Sequence, residues 1–507
     1  MSRELPARPN FEHLKKQAKE LLQQFERGDS AAIELFGTLG SPQSAKAPKL
    51  ADAQRLIARE YGFESWAALK SHVAMHSGDD FEALAAAIKA DETSVVLHIL
   101  KSSRTIRAKI NDPLEDQFGA RPLMVAVQHG NREMIEALLA AGADINRRSD
   151  WWAGSFGVLD GAASRKDWLP AFLIERGARL DPHAAAKLGM LDELKAMIAA
   201  DPAAVHWRGG DGQTPLHVAA TVEIAVYLLA HGADINARDI DHESTPAQYL
   251  IRESQDVARY LVKRGCRTDI LMAAALGDID LVRKYLDSGS ASIRTSVSAE
   301  FFPMQNPRAG GTIYIWTLGK NKTAHMIARE FHHEDVFELL MERSPNELKL
   351  SQACELGDEK TFKFLLARNP NLLQNLTDDD RRKLINVAEA NNLAAVRLML
   401  EAGFPADVGN LHGVTAWHWA AFHGNAEIIR ELLKRHAVVD TSEKNFNGTP
   451  MDWAIHGSVH GWHRDTGDYP AVVKELLDAG AKLPEKYLER GSEPVREYLR
   501  KRLATGK

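Results

Sequence analysis

A chain of 507 residues, 45% hydrophobic and 26% charged, has the composition of a soluble protein. Its 63 Lys and Arg stand against 69 Asp and Glu, a formal net charge of −6, and a field of that sign does not draw nucleic acid or an anionic membrane surface. Cys266 and Cys354 are the only cysteines and both fall inside predicted helical units, which points to a reducing compartment and away from a disulfide framework. The opening MSRELPARPNFEHLKKQ has no apolar signal core, and no run reaches the length of a membrane span, so a cytoplasmic address is expected.

Residues 1–78 are expected to form a non-repeat module of three helices. Phe11, Leu14, Ala18, Leu21, Leu22 and Phe25 share one helical face. A loop with Gly37, Gly40, Pro42 and Pro48 comes next, then a helix from Asp52 to Tyr61 stopped by Gly62. Ser65 caps a third predicted helix running through Trp66, Leu69 and Val73. The expected role is to cap the first repeating unit of the chain.

From 79 to 289 the pattern becomes a succession of helical hairpins. Residues 79–102 are a degenerate first unit and Ala120–Asn146 a clear second. An aromatic finger with Trp151 and Trp152 comes next, then units near 182, 212, 243 and 269. The period breaks at 290–322. Asn306-Pro307 and Gly310-Gly311 signal turns, and the β-branched, aromatic run Thr312–Leu318 predicts a strand in a projecting finger or hairpin over the concave groove. Hairpins resume over 323–483, with units near 347, 381, 413 and 447 and an insertion at 456–469. Residues 484–507 read as a polar terminal helix pair, a C-terminal cap.

The clearest unit is Gly212–Asp239. Thr214 can cap a helix, Pro215 suits its first position, Leu216, Ala219 and Ala220 form a short helix, and Gly232 ends the second one. Such a unit cannot bury its own apolar face and needs copies beside it. TPLH followed by GADIN resembles the ankyrin repeat. Thr245-Pro246, Thr415-Ala416 and Thr449-Pro450 repeat its start, and Gly142-Ala-Asp-Ile-Asn repeats its terminal turn. The whole is similar to bacterial multi-ankyrin-repeat proteins with an N-terminal helical module. The resemblance implies an all-α fold, an α-solenoid of helix-turn-helix units with β-hairpin-like finger loops. It implies that fingertips and the late first-helix positions meet partners: Asp241, His242 and Ser244 with Arg252 and Glu253, then Leu411, His412 and Val414 with Phe422 and His423, and Asn445, Phe446 and His456. It also implies that His217 and His418 bond the backbone of neighbouring turns. Asp452 and Met326 replace that histidine in two units without a reason visible in the repeat.

Two stretches exceed what a repeat needs. In the first, Phe301, Phe302, Arg308, Tyr314 and Trp316 combine aromatic faces with a polar fork, suited to a peptide, a sugar ring or another small organic ligand. In the second, His456, His460, His463, Asp465 and Asp468 crowd a loop beside Trp462. Imidazole and carboxylate serve both acid–base chemistry and borderline metals, but this spacing matches no metal motif, and a solvated polar loop is the plainer reading. Trp417, Trp419 and Trp453 are read as packing. A P-loop, a GxSxG elbow, paired CxxC and an EF-hand loop are all missing, so no cofactor is expected. The expectation is a binding module that holds a protein or peptide partner in its groove. The alternative is an enzyme or small-molecule binder whose site the 290–322 and 456–469 insertions build over the groove, with a carbohydrate as one candidate ligand and hydrolysis, with or without a divalent metal, as one candidate reaction.

Overall fold

The structure, a computed structural model, describes residues 11–37, 48, 50–63, 66, 69, 73, 80–103, 105–114, 117–162, 167–410, 412–435, 439–444, 447–482 and 490–504. The expected helix from Ser65 to Val73, the first half of the terminal helix pair, and the fingertip residues Leu411, Asn445 and Phe446 fall largely or wholly outside them. Among the described residues regular structure is helical, and extended pairing is limited to Ser296 with Thr323. No described helix is long and apolar enough to cross a membrane. The chain divides into two compact units, Met1–Arg267 with Phe302–Thr317, and Thr268–Phe301 with Leu318–Lys507.

The first unit opens with helices Phe11–Glu26, Ser30–Gly37 and Leu50–Glu60 around Leu14, Ala18, Leu56 and Ile57. The middle helix is absent from the sequence expectation. Asp29 starts it by accepting the Ala32 amide at 2.9 Å, and Phe36 sets its ring edge-on to Phe25 at 4.9 Å. Helix pairs come next, from Asp80–Lys89 with Thr93–Ser102 to Pro246–Leu250 with Gln255–Lys263. Side-chain caps and N-terminal prolines start many of them. Asn131, for instance, accepts the Met134 amide at 3.1 Å. Gly232 ends its helix at φ +92, a conformation an L side chain resists.

In the Thr214 repeat the first helix is a single tight turn, Pro215–Val218. It stops short of the expected Ala219–Ala220 because the Ala220 amide donates outward, to the Ala186 carbonyl of the preceding repeat at 3.0 Å. His217 joins repeats in the opposite direction. Its Nδ1 accepts the Thr214 amide at 3.0 Å and its Nε2 donates to the Ser244 carbonyl at 3.1 Å.

The second unit repeats the plan, from Ile270–Leu276 with Ile279–Ser288 to Pro450–His460 with Tyr469–Asp478, and then Glu493–Ala504. His418 bridges Thr415 to the Gly448 carbonyl as His217 does in its own repeat. The Asp452 and Met326 replacements at this position now have reasons. Asp452 Oδ2 accepts both the amide and the hydroxyl of Thr449, at 3.0 and 2.9 Å, so a carboxylate does the imidazole's capping work. Beside Met326, the Thr323 hydroxyl instead donates to Gln352 of the next repeat at 2.7 Å.

The strand expected over Thr312–Leu318 does not form. The Trp316 and Thr317 amides both donate to the Ile313 carbonyl, at 2.9 and 3.0 Å, and Ile315–Gly319 is a helical turn. Tyr314 and Leu318 are fully buried. Four residues apart, they share one side of a helical turn, and their burial overrides the extended preference of the β-branched residues.

Candidate functional site

In the first unit the fingertip 239–245 is built around Asp239, whose carboxylate accepts the amides of His242 and Ser244, each at 2.7 Å. Segment 302–317 lies on this fingertip. Glu243 accepts the amides of Gln305 and Asn306 at 3.0 and 2.7 Å. The Gly310 amide donates to the Asp241 carbonyl at 2.9 Å, and His242 Nδ1 donates to the Gly311 carbonyl at 2.8 Å. The Ile313 amide reaches the Ser244 hydroxyl at 3.1 Å, and the Arg252 guanidinium donates to the Thr317 carbonyl.

Four side chains expected to meet a partner are thus engaged within the chain itself: Asp241, whose carboxylate also accepts the Gly310 amide at 3.2 Å, His242 and Arg252 as above, and Arg308, whose guanidinium stacks 4.4 Å from the Trp152 ring. Tyr314 is buried with Phe302 edge-on at 5.3 Å. Trp316, 70% exposed, is the one of these aromatics that faces solvent. Burial pushes the Asp211 carboxyl up to about 6 and raises that of Asp239.

The second unit holds a different site. Residues of the helices Ala416–Phe422 and Pro450–His460 and of the loop after them line a cavity of about 920 Å³. Its walls are Trp419, Phe422, Trp453 and Trp462, with His456, His460 and Asp452 among its polar groups. Trp419 meets Trp453 edge-to-face at 5.2 Å and lies nearly parallel to Trp462 at 5.9 Å. Phe422 is perpendicular to Trp462 at 5.5 Å and stacks on His456 at 6.4 Å. Trp462 is 68% exposed at the rim.

The histidines expected in one loop divide, since the first helix of the repeat runs on to His460 and carries His456 and His460, which leaves His463 in the loop. His456 and His460 sit 4.7 Å apart, and His463 lies 5.0 Å from His423. His423 is buried and donates from Nε2 to the Glu389 carbonyl at 2.8 Å. Burial, with the neighbouring His460, lowers the His456 imidazole from its ordinary value. Asp465 is exposed and pairs with Arg464 at 3.7 Å, while Asp468 caps the next helix by accepting the Ala471 amide at 3.1 Å. Among the described residues no three of His456, His460, His463, Asp465 and Asp468 come to common metal-binding reach. Asp211, Asp241 and His242 do so, in the first unit.

Trp419 and Trp453, read from sequence as packing, belong to the cavity wall. The signal is in the spacing. Trp419, Phe422 and His423 share one helical face, as do Trp453, His456 and His460, at spacings of three, four and seven. Trp417, two residues from Trp419 and 1% exposed, is core.

Comparison with known proteins places this architecture. The family model described as ankyrin repeats (3 copies) matches residues 55–149, 183–272, 350–445 and 384–486, more than half of the chain. The palmitoyltransferase Hip14 of Drosophila melanogaster is 29% identical over 124 residues, 24% of this chain and 18% of that protein. The E3 ubiquitin-protein ligase XB3 of Oryza sativa subsp. japonica is 32% identical over 96 residues, 19% of this chain and 21% of that protein. The human transient receptor potential cation channel subfamily A member 1 is 24% identical over 434 residues, 77% of this chain and 36% of that protein. The matches therefore span about a fifth of the first two relatives and about a third of the last. On these matches, and on the helix pairs joined through His217 and His418, the chain belongs to the ankyrin-repeat family.

Proposed function

We propose that the chain is a binding module that takes an extended segment of a protein partner into the cavity of the second unit. The observation that carries this reading is the wall of Trp419, Phe422, Trp453 and Trp462 around about 920 Å³, with Trp462 left largely in solvent. Rings held edge-to-face by one another lose little freedom on binding and bring a large apolar contact, the profile of an interface anchor. Asp452, His456 and His460 supply polar contacts that fix orientation.

A second reading, a small organic ligand such as a sugar in the same cavity, is favoured by its size, since small-molecule sites run to about 300–1,000 Å³. Selection of a displayed peptide library on the full chain, with the Trp462→Ala chain as counter-target, tests the first reading. The expected result is peptides whose affinity, followed by tryptophan fluorescence, falls at least about tenfold on Trp462→Ala, about 1.4 kcal/mol. Peptides that bind both chains alike would overturn it. A metabolite that raises the melting temperature of the native chain only, and competes with no peptide, would favour the second.

A further inference from the structure

Two successive fingertips of the first unit bring three ligand-type side chains together. The Ile240 and Asp241 amides both donate to the Asp211 carbonyl, at 2.9 and 3.1 Å, so the backbones of the two tips are tied. Asp211 holds φ +54, the left-handed turn that aligns its own tip with the next. His242 Nε2 then lies 3.6 Å from Asp241 Oδ2 and 3.9 Å from Asp211 Oδ2. One donor atom from each residue falls within 4.8 Å of the other two.

These separations are too long for hydrogen bonds. They approach the spacing of about 3.4 Å between donors that share one tetrahedral ion at about 2.1 Å. The ring of His242 supplies an independent reason to place a cation there. Its side chain is only 8% exposed. Nδ1 faces the Gly311 carbonyl at 2.8 Å, and a carbonyl only accepts, so Nδ1 carries a proton. In the neutral ring Nε2 then presents a lone pair to two carboxylates, with no hydrogen-bond donor reaching it among the described residues. An acceptor aimed at acceptors is repulsive unless something positive sits between them. A histidine held through its second nitrogen by a backbone carbonyl is also the usual arrangement of a metal-bound imidazole.

We propose that Asp211, Asp241 and His242 bind one zinc-class divalent ion through the two carboxylates and Nε2. One histidine and two carboxylates form a ligand set that borderline divalent ions accept, and two negative charges match the ion's two positive ones. The ion joins fingertip 211 to fingertip 241. Through the His242–Gly311 hydrogen bond it also fixes segment 302–317 on them. The role is structural, and the proposal is independent of the cavity in the second unit.

The test uses the full chain, stripped with EDTA, dialysed, and titrated with zinc chloride, with magnesium chloride as the control. The expected result is one zinc per chain by elemental analysis and a rise in melting temperature with zinc but not magnesium. Asp241→Asn and Asp211→Asn, which keep shape and remove charge, are expected to weaken zinc binding at least tenfold. The double variant His460→Ala, His463→Ala is expected to bind as the native chain does. Cobalt in place of zinc is expected to give visible absorption bands that Asp211→Asn abolishes. If Asp241→Asn does not fold by circular dichroism, the partly exposed Asp211 decides through its own variant. Three outcomes overturn the proposal. The native chain retains no zinc, its zinc survives Asp211→Asn unchanged, or its zinc is lost instead with the substitution of His460 and His463.

Discussion

The Tyr469 hydroxyl donates to the Phe422 carbonyl at 2.9 Å, and this bond closes the loop that carries Trp462 back onto the preceding repeat. Tyr469 is 2% exposed, and burial pushes its hydroxyl up to about 12, so it stays a donor throughout the working pH range. Tyr469→Phe removes the donor and leaves the ring in place. The expected cost is about 1 kcal/mol, read from urea unfolding. A change in Trp462 exposure to acrylamide quenching is expected alongside it. Unchanged stability and quenching would mean that the hydroxyl does not hold the loop.

Gly457 is a second constraint on the same carbonyl. It lies inside the helix Pro450–His460, where alanine would ordinarily stabilise by about 1 kcal/mol. A Cβ at this position would fall 2.3 Å from the Phe422 carbonyl oxygen, a backbone atom that cannot swing away. Gly457→Ala is therefore expected to reverse the usual sign and destabilise by about 1–3 kcal/mol, the range for overpacking. A gain in the urea midpoint would refute the close approach of the two helices.

The repeat architecture is legible in the sequence because it rests on local chemistry. Thr-Pro starts, positive-φ glycine stops and a buried bridging histidine leave their marks within a few residues. Two features depend on longer range. The helical turn at Ile315–Gly319 looks like a strand because Ile313, Ile315 and Thr317 carry β-branched side chains, whereas the outcome is set by burial of Tyr314 and Leu318, which local preference does not contain. The fingertip residues Asp241, His242 and Arg252 look free for a partner, but the groups that take them up are the carbonyls and amides of Gly310, Gly311 and Thr317, some 65 to 69 residues away in the chain. Backbone groups carry no sequence signature. The aromatic wall of the second unit, by contrast, is written in the spacing of Trp419, Phe422, Trp453 and His456, and taking those tryptophans singly as packing conceals it.

A buried ionic cluster in the second unit gives a third prediction. Lys383 lies 3.2 Å from Glu355 and 3.7 Å from Asp380, both carboxylates being almost wholly buried. Burial raises the Glu355 carboxyl. At Asp380 burial acts in the same direction, but Lys383, Thr377 and Arg294 outweigh it, and its carboxyl lies below the usual range. Lys383→Ala leaves two buried acids short of a cation, and the expected loss is about 3–5 kcal/mol. Without Lys383 the Glu355 carboxyl rises further and can take a proton on mild acidification. The loss is therefore expected to be larger at pH 8 than at pH 5. An equal loss at both would show that Glu355 stays ionised without Lys383.

Two deeply buried histidines make the fold sensitive to acid. His217 in the first unit and His325 in the second are each lowered by burial to about 3 from an ordinary 6.5. Between those values the unfolded chain binds a proton at each site that the folded chain refuses. Stability is therefore complete above about pH 6.5 and falls as pH drops below it, by about 1.4 kcal/mol per pH unit for each histidine. From pH 7 to pH 5 the expected loss is about 2 kcal/mol per site, read as a falling urea midpoint in each unit's transition. The chain contains its own control. In the Thr245 repeat Gln248 stands where His217 stands, and its Oε1 accepts the Thr245 amide at 2.9 Å just as the imidazole accepts that of Thr214. Glutamine does not titrate. His217→Gln is therefore expected to keep the cap and remove about 1.4 kcal/mol per pH unit from the acid slope of the first unit, while that of the second, where His325, His418 and His423 are all lowered by burial, stays as it was. An unchanged slope in the first unit would show that its acid lability arises from a group other than His217.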